Sequence, residues 1–555
     1  MPPSRTRDLA IVLAICGASL FVGLGRASLW EPDEPRFAEA SRQMLQRGDF
    51  LTPYFNGVPR YEKPVLLYWL QVPAYLLFGP TELAGRLPSA IAGVGCVVLL
   101  YLLGLRVTTR RAALVGALAL ATSFRFIVFG RQGLTDVPLM CFMLAALYGF
   151  QRATEASGDR RWALAAWASV GLAALTKGPV ALLPPSIWMA YRAAIGDVPS
   201  IWRVRPLTGS LIAAAVVLPW YIAMVVLHGR DFTNFALGHE ILSRFLSEDS
   251  FAPPRGFLYY LKVWPGDAAP WSAYAIAAAG WSAWRWRALE PRDRQAIAMC
   301  LSWFAVVFLV FSASQSKVPH YVLPAYPAAA LLVGVFIDAM DRERRTAWWM
   351  IPTWLTALAM AAVGVLSALV LRREFALSPS APAFALPAIL IVGALSTASY
   401  AWRNRPFHAT AAVAATLALG MAFAGGWVVP RHVEPLKPMR PLGTLAGQIA
   451  RPHDEIGLFG RYGGSSVIYY SGHTIRWLDS LEQALDFLAQ PGGRVCVIPE
   501  AAWKELAPRL GGGATVIAAR PSLNMRFGLF VDPVRVRPPG WLLVSTQHPT
   551  NGPSF

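Results

Sequence analysis

Ten side chains in this sequence have types and spacings that could do chemistry. They are the carboxylates Asp33, Glu62 and Asp136, the cations Arg36, Lys63, Arg131 and Lys317, and the rings of Tyr61, His320 and Tyr321. They stand in four short polar stretches: Trp30 to Arg36, Tyr61-Glu62-Lys63-Pro64, Gly130 to Asp136, and Ser314 to Tyr321. A carboxylate can act as general base or stabilise a developing cation, and a lysine or arginine can stabilise an anionic leaving group. That set suits transfer of a group away from an anion such as a phosphate.

The elements that must position these residues are membrane spans. Of the residues, 55% are hydrophobic, only 15% are charged and 21 are Trp, with a mean hydropathy of +0.43, a balance rare in soluble domains. A bilayer core needs about 20 apolar residues as helix. Thirteen segments within 1–429 fit or nearly fit: 9–25, 87–105, 112–130, 137–151, 162–175, 179–194, 207–227, 270–284, 296–313, 321–338, 347–371, 384–400 and 408–428. The expected fold class is therefore an α-helical polytopic membrane protein, with its reaction at a membrane face.

The net charge of +18 does not point to nucleic acid, because arginine concentrates in short loops between alternate spans. Six loops carry it, at 106–111, 152–161, 192–205, 285–294, 342–345 and 403–405. The positive-inside rule assigns all six to the cytoplasm. Residues 64–80 are apolar enough to span, yet counting them would export these clusters, so they read as an interfacial or re-entrant helix. The amino terminus is then cytoplasmic, and residues 430–555 lie on the outer side. No small-residue cleavage site follows the first span, which reads as retained rather than as a signal peptide.

Every charged motif named above then faces the same outer side, in the loops of a 1–429 membrane domain whose interfacial segments are 26–86 and 228–268. In the first of these, Phe37, Met44 and Leu45 share one helical face while Glu39, Arg42, Gln43 and Arg47 stay polar, the pattern of a helix lying along a membrane surface. The bland reading of Asp33 is a helix N-cap with Gly48 as the stop. That of Glu62 and Lys63 is a surface ion pair worth about 0–1 kcal/mol. Ionisable groups at membrane depth usually line a site, which favours function here. Glu62 with His239 is the candidate pair for a divalent ion, although no ligand spacing supports one and no cofactor is required by the sequence.

Residues 430–555 change character. Strand-like runs at 495–498 and 515–519, a helical stretch near 481–488 and Gly-rich turns read as a small α/β domain outside the membrane. It has no phosphate-binding Gly motif, triad or metal cluster, so an accessory role is expected. Of the five cysteines, four fall in spans and only Cys496 faces outward, so no disulfide is expected there. No heptads or small-residue dimer face stand out, and a monomer is expected.

Five motifs carry a resemblance. Trp30-Glu31-Pro32-Asp33-Glu34, Tyr61-Glu62-Lys63-Pro64, Arg86-Leu87-Pro88-Ser89-Ala90, the 131–136 loop and Ser316-Lys317-Val318-Pro319-His320-Tyr321 resemble, in order, the bacterial aminoarabinose transferase family of GT-C membrane glycosyltransferases, related to protein O-mannosyltransferases. Pro35 and Phe37 depart from that pattern, and the outer domain matches only in position and size.

The resemblance implies transfer of 4-amino-4-deoxy-L-arabinose from undecaprenyl phosphate to a lipid A phosphate at the periplasmic face of the inner membrane. It implies Asp33, Glu62 and Asp136 as catalytic, with Arg36, Tyr61, Lys63, Arg131, Lys317, His320 and Tyr321 binding substrate. Direct inversion without a covalent intermediate is expected. Two alternatives stay open: a transferase of the same architecture moving another sugar to a protein or other lipid, and a transporter or flippase, for which no paired repeats are visible.

Overall fold

Apolar runs in a bilayer leave the backbone no partner but itself, so helices are the expected outcome. The computed structural model describes residues 3–155, 159–236, 238, 255–343, 347–373, 375–452, 454–522 and 540–546. Among them, eight helical stretches are long and apolar enough to cross a membrane: Glu82–Val107, Arg160–Ala194, Pro206–Ala236, Pro291–Ala313, Pro319–Glu343, Ala347–Arg373, Pro382–Trp402 and Pro406–Leu436. A ninth arises if Arg110–Ala121 and Phe124–Gly130, bent by 63°, form one span. At that break the hydroxyls of Thr122 and Ser123 donate back to the carbonyls of Leu118 (2.6 Å) and Ala119 (2.8 Å), a bonding pattern that bends helices.

The stretch Arg160–Ala194 is a hairpin rather than one rod. Helices Arg160–Lys177 and Leu183–Ala194 are joined by a 3₁₀ turn, Gly178–Leu182. Trp167 and Trp188 both pack on Phe150, with ring centroids 5.4 and 6.0 Å away. A straight helix would hold those two tryptophans about 30 Å apart. Gly178, at φ 64°, lets the chain leave the first helix for the turn, so Lys177 sits at the hairpin's tip.

Contacts divide the chain into two compact units. One comprises Met1–Leu24, Tyr61–Ala74 and Arg86–Gly426; the other comprises Gly25–Arg60, Tyr75–Gly85 and Trp427–Phe555. The second unit thus gathers two segments from the 26–86 loop beside the C-terminal residues.

In the first unit, ion pairs and hydrogen bonds knit five of the six arginine-bearing loops together. Arg106 pairs with Glu155 (3.3 Å), Arg111 with Asp341 (3.0 Å), and Arg342 with Asp293 (2.5 Å) and Glu290 (3.2 Å). Arg292 donates to the Thr108 carbonyl, and Arg203 to that of Thr154 (3.4 Å). Arg110 reaches Asp8 of the first helix (2.6 Å). These loops therefore share one end of the helical unit. Deeper in, helices Arg110–Ala121 and Tyr326–Glu343 touch through glycine: a Cβ on Gly334 would lie 2.1 Å from the Ala112 carbonyl oxygen.

In the second unit, a five-stranded sheet is built from β3 (Ile456–Phe459), β4 (Ile475–Leu478), β5 (Val495–Pro499), β6 (Thr515–Arg520) and β7 (Trp541–Ser545), in the order β4-β3-β5-β7-β6. β3 pairs parallel to both β4 and β5, while β7 runs antiparallel to β5 and β6. A two-stranded hairpin, β1 (Tyr54–Phe55) and β2 (Val58–Pro59), docks on this sheet through Asn56, whose side chain bonds both the N–H (2.7 Å) and the carbonyl (3.1 Å) of Ile475.

Helix Asp33–Arg47 ends at Gly48 in the left-handed conformation, φ 67°, as the sequence predicts. Pro32 occupies the N-cap position with no side-chain cap bond, and Asp33 is the first helical residue. Phe37 and Met44 are buried within the protein and Leu45 is half-buried, and Glu39 is buried too, at 2% exposure. The expectation that Glu39 and Arg42 face solvent is corrected here: Glu39 forms an ion pair with Arg42 (2.5 Å) and accepts from Gln43 (2.7 Å), and Arg42 donates to the Tyr469 carbonyl (3.0 Å). The cause is a second neighbour. The helix is covered by 469–470 as well as by Tyr75, whose hydroxyl donates to the Ala38 carbonyl (3.2 Å).

Two measurements follow. Gly334→Val forces a side chain into the Ala112 backbone and is expected to cost about 1–3 kcal/mol. Gly17→Ala, where an added Cβ meets nothing within 4 Å, should leave the detergent-solubilised melting temperature unchanged. Second, burial pushes the Glu39 carboxyl above its ordinary 4.5, against the opposing pull of Arg42. A raised folded pKa means the unfolded chain releases its proton first, so stability falls as pH climbs from 4.5 into the raised range. Melting temperatures across that range should therefore decline for the parent relative to Glu39→Gln; a parallel pair of curves would refute the assignment.

Candidate active site

Asp136 opens the helix Asp136–Thr154 and is buried, at 8% exposure. The hairpin tip brings Lys177 to it: Nζ lies 2.7 Å from Oδ1. Two further side chains, His320 and Lys63, stand near the same carboxylate. Lys177 also sits over the Tyr321 ring at 5.2 Å, a cation–π contact. His320 packs against Phe129 (4.8 Å) and Tyr321 (5.3 Å). Three motifs far apart in sequence thus converge, from the loops at 61–64, 131–136 and 316–321.

The convergence opens into a cleft lined by Tyr61, Glu62, Lys63, Lys177, Trp220 and Tyr221, among others. Lys63 Nζ donates to the Glu62 carbonyl at 2.9 Å. Tyr61 is held by rings, with His228 at 5.3 Å and Phe232 at 5.6 Å. The lining thus combines aromatic rings with two lysines and a glutamate, an arrangement able to hold a ligand with an apolar part and a charged head.

Lys317 and Arg131 are placed differently. Lys317 is 3% exposed, with Nζ donating to the Ser314 carbonyl, and burial pushes its ammonium pKa down. Its own carbonyl accepts from Arg255 (3.1 Å). Arg131 donates to the carbonyls of Ser19 (3.1 Å) and Val22 (2.8 Å), and neighbouring Arg86 donates to that of Leu24 (2.8 Å). Burial, with a smaller contribution from Arg86, lowers Arg131 to about 10, so it stays charged at neutral pH while closing the end of the first helix.

Asp33 and Arg36 belong to the second unit. Asp33 has a side chain 54% exposed and a loose pair with Arg36 at 3.7 Å. Arg36 Nε donates to Ser465 Oγ at 3.2 Å. Beside them Glu31 accepts from the Ser466 N–H at 2.5 Å; burial raises its carboxyl, against the pull of the Ser466 bonds.

Sequence reasoning passed over Lys177, Trp220 and Tyr221. The available signal for Lys177 was a cation isolated between two apolar runs, which at membrane depth marks a site. His239 lies outside the described residues. Among the described residues no group of three or more His, Cys, Asp or Glu could hold a metal ion.

Residues 62–222 match the family model described as dolichyl-phosphate-mannose-protein mannosyltransferase. The crystal structure of ArnT from Cupriavidus metallidurans bound to undecaprenyl phosphate has the same fold, with TM-score 0.75 over 99% of each chain at 23% identity. The undecaprenyl phosphate-alpha-4-amino-4-deoxy-L-arabinose arabinosyl transferase of Pseudomonas aeruginosa is 31% identical across 74% of this chain and 74% of its own. The one of Pectobacterium carotovorum is 32% identical across 64% and 65%. On that identity and coverage, the chain belongs to this arabinosyl transferase family of membrane glycosyltransferases.

Proposed function

We propose that this protein transfers 4-amino-4-deoxy-L-arabinose from undecaprenyl phosphate to a phosphate of lipid A, acting as a monomer at the periplasmic face of a bacterial inner membrane and conferring resistance to polymyxin. The observation that carries the reading is the convergence of Asp136, Lys177, Lys63 and His320 beside an aromatic-walled cleft. The names of the relatives supply the sugar and its carrier.

In this reading an oxygen of the acceptor phosphate attacks the anomeric carbon directly. The bond from that carbon to the donor phosphate breaks, and its electron pair leaves on undecaprenyl phosphate. Lys63 meets the charge growing on the leaving phosphate. Glu62 and Asp136 meet the positive charge that develops on the ring and the ammonium of the aminosugar, and the resemblance of its motif adds Asp33 to the carboxylates the reaction uses. The acceptor is already ionised, so no general base is needed, and the carboxylates stabilise and orient. The configuration inverts, with no covalent enzyme intermediate. Lys177 keeps the buried Asp136 charged and fixed.

We further propose thirteen spans. The eight apolar stretches and the bent pair, with the Arg160–Ala194 hairpin counted twice and with Pro3–Phe21, Asp136–Thr154 and Trp271–Arg285 added, reach that number. The linked arginine loops then mark the cytoplasmic end, as positive-inside asymmetry requires.

The test is mass spectrometry of lipid A from a polymyxin-sensitive strain that makes the lipid-linked aminoarabinose but lacks its transferase. The parent chain should add the mass of one aminoarabinose; Asp33→Asn and Asp136→Asn should reduce that product by about 100-fold or more. The match of residues 62–222 to protein mannosyltransferases favours one rival, a protein acceptor, which would show as unmodified lipid A beside glycosylated protein. In a separate titration of the purified protein with undecaprenyl phosphate, Lys63→Met should weaken binding by about 1.5–3 kcal/mol, the contribution of a charge-assisted bond. Unchanged affinity would remove Lys63 from the phosphate.

A further inference from the structure

The stretch Trp30 to Arg36 is expected from sequence to bring substrate-facing groups, yet in the second unit most of its polar groups are engaged internally. The Trp30 N–H donates to Glu34 Oε2 at 2.8 Å, and Glu34 is 2% exposed. The Trp30 ring lies 4.1 Å from Lys437 Nζ, which also donates to the carbonyls of Ser28 (2.9 Å) and Leu29 (3.3 Å). Glu31 and Arg36 both reach the start of helix Gly464–Ser471, through Ser466 N–H and Ser465 Oγ. Asp33, in contrast, keeps half its side chain in the open and holds only a 3.7 Å pair with Arg36.

That second helix is itself tightly placed. The first N–H groups of a helix have no partner within it, and the Glu31 carboxylate supplies one from outside, where the helix dipole favours a negative charge. Gly464 has no room for a side chain: a Cβ there would sit 1.9 Å from the Trp477 ring on β4. A continuous relay therefore runs from the sheet through Trp477, Gly464, Ser465 and Ser466 to Glu31 and Arg36, and so to Asp33.

We propose that Glu31 and Arg36 are positioning residues for Asp33, and that the C-terminal segment, through Ser465 and Ser466, sets where that carboxylate stands. The proposal rests on the reading of Asp33 as a carboxylate of the active site. It gives the C-terminal residues a defined task in the reaction in place of a general accessory role. Arg36 serves by bridging Ser465 to Asp33 rather than by binding substrate, and Glu31 serves by anchoring the residue two before Asp33.

The test compares Glu31→Ala, Glu31→Gln and Ser465→Ala in the full-length protein, by steady-state transfer and by amide hydrogen exchange across residues 33–47. Glu31→Ala should lower kcat by about 10- to 100-fold, the cost of misplacing a reacting group, with donor KM within about twofold, and should speed exchange in that helix. Glu31→Gln keeps an oxygen that accepts from Ser466 N–H and should restore most of the kcat. Ser465→Ala removes one hydroxyl and should lower kcat by a smaller factor, which keeps the question answerable if Glu31→Ala misfolds. The proposal is overturned if Glu31→Ala turns over like the parent, or if Glu31→Gln is as inactive as Glu31→Ala, since the charge itself would then be in use. Should the parent transfer no aminoarabinose, the functional reading fails by itself; exchange then still decides, and parent-like exchange in both Glu31→Ala and Ser465→Ala overturns the positioning.

Discussion

A carboxylate buried beside apolar helices must be paired, and the pair Asp136–Lys177 at 2.7 Å is the contact on which the candidate site depends. Stripping water from either charge alone is expensive, several kcal/mol after relaxation, and only a close partner offsets it. Each residue therefore fixes the other's element. Asp136 starts one helix, Lys177 ends another, and the pair pins the hairpin tip of 160–194 to the loop at 131–136. Once that tip is in place, the 3₁₀ turn, the Tyr321 ring and the cleft residues of 61–64 have defined neighbours.

The two ends of the helical unit solve the charge problem in different ways. At the arginine-rich end, guanidinium groups meet carboxylates in a distributed lattice: Arg342 alone contacts Asp293, Glu290 and Asp338. Such partly exposed pairs contribute little singly, but a lattice that joins five loops restricts how helix ends can move. At the cleft end Lys63 and Lys177 stand beside Glu62 and Asp136 and a set of aromatic rings. Charge held beside aromatic rings has low-dielectric walls, which strengthens its effect on an incoming ligand.

Much of this was legible in the sequence, for a physical reason: a run of about 20 apolar residues has few alternatives to a helix across a bilayer. Motifs in loops between such runs could be assigned to one side, and the structure brings 61–64, 131–136 and 316–321 together. What escaped lies at the level of side-chain partners. Lys177 ends its helix just before a five-residue turn, and the sequence does not show that this turn carries it to Asp136. Glu39 was assigned to solvent because a helical wheel assumes one packed face, whereas residues 469–470 cover a second. Arg131 serves backbone carbonyls, and a carbonyl carries no sequence signature. The bend at Thr122 and Ser123 did have one, two adjacent hydroxyl residues inside an apolar run. Glu31 could not have been read at all, because its partner stands 435 positions along the chain.

The same long-range contacts explain why contact-based units differ from the order of the chain. Residues 25–60 and 75–85 fold with the C-terminal residues because their polar groups are satisfied there: Ser28 by Glu434 (3.0 and 3.1 Å), the Leu29 N–H by Tyr470 (2.8 Å), and Glu82 by Tyr470 (3.0 Å) and Arg440 (3.2 Å). A short loop could not meet these demands from its own residues. Rigid support matters most for a reacting carboxylate, since a group that must face developing charge loses its effect when it can swing away. Asp33, with its side chain 54% exposed, would stand at the end of that support under the proposed reading, on a helix held by its buried face and the Glu39–Arg42 pair.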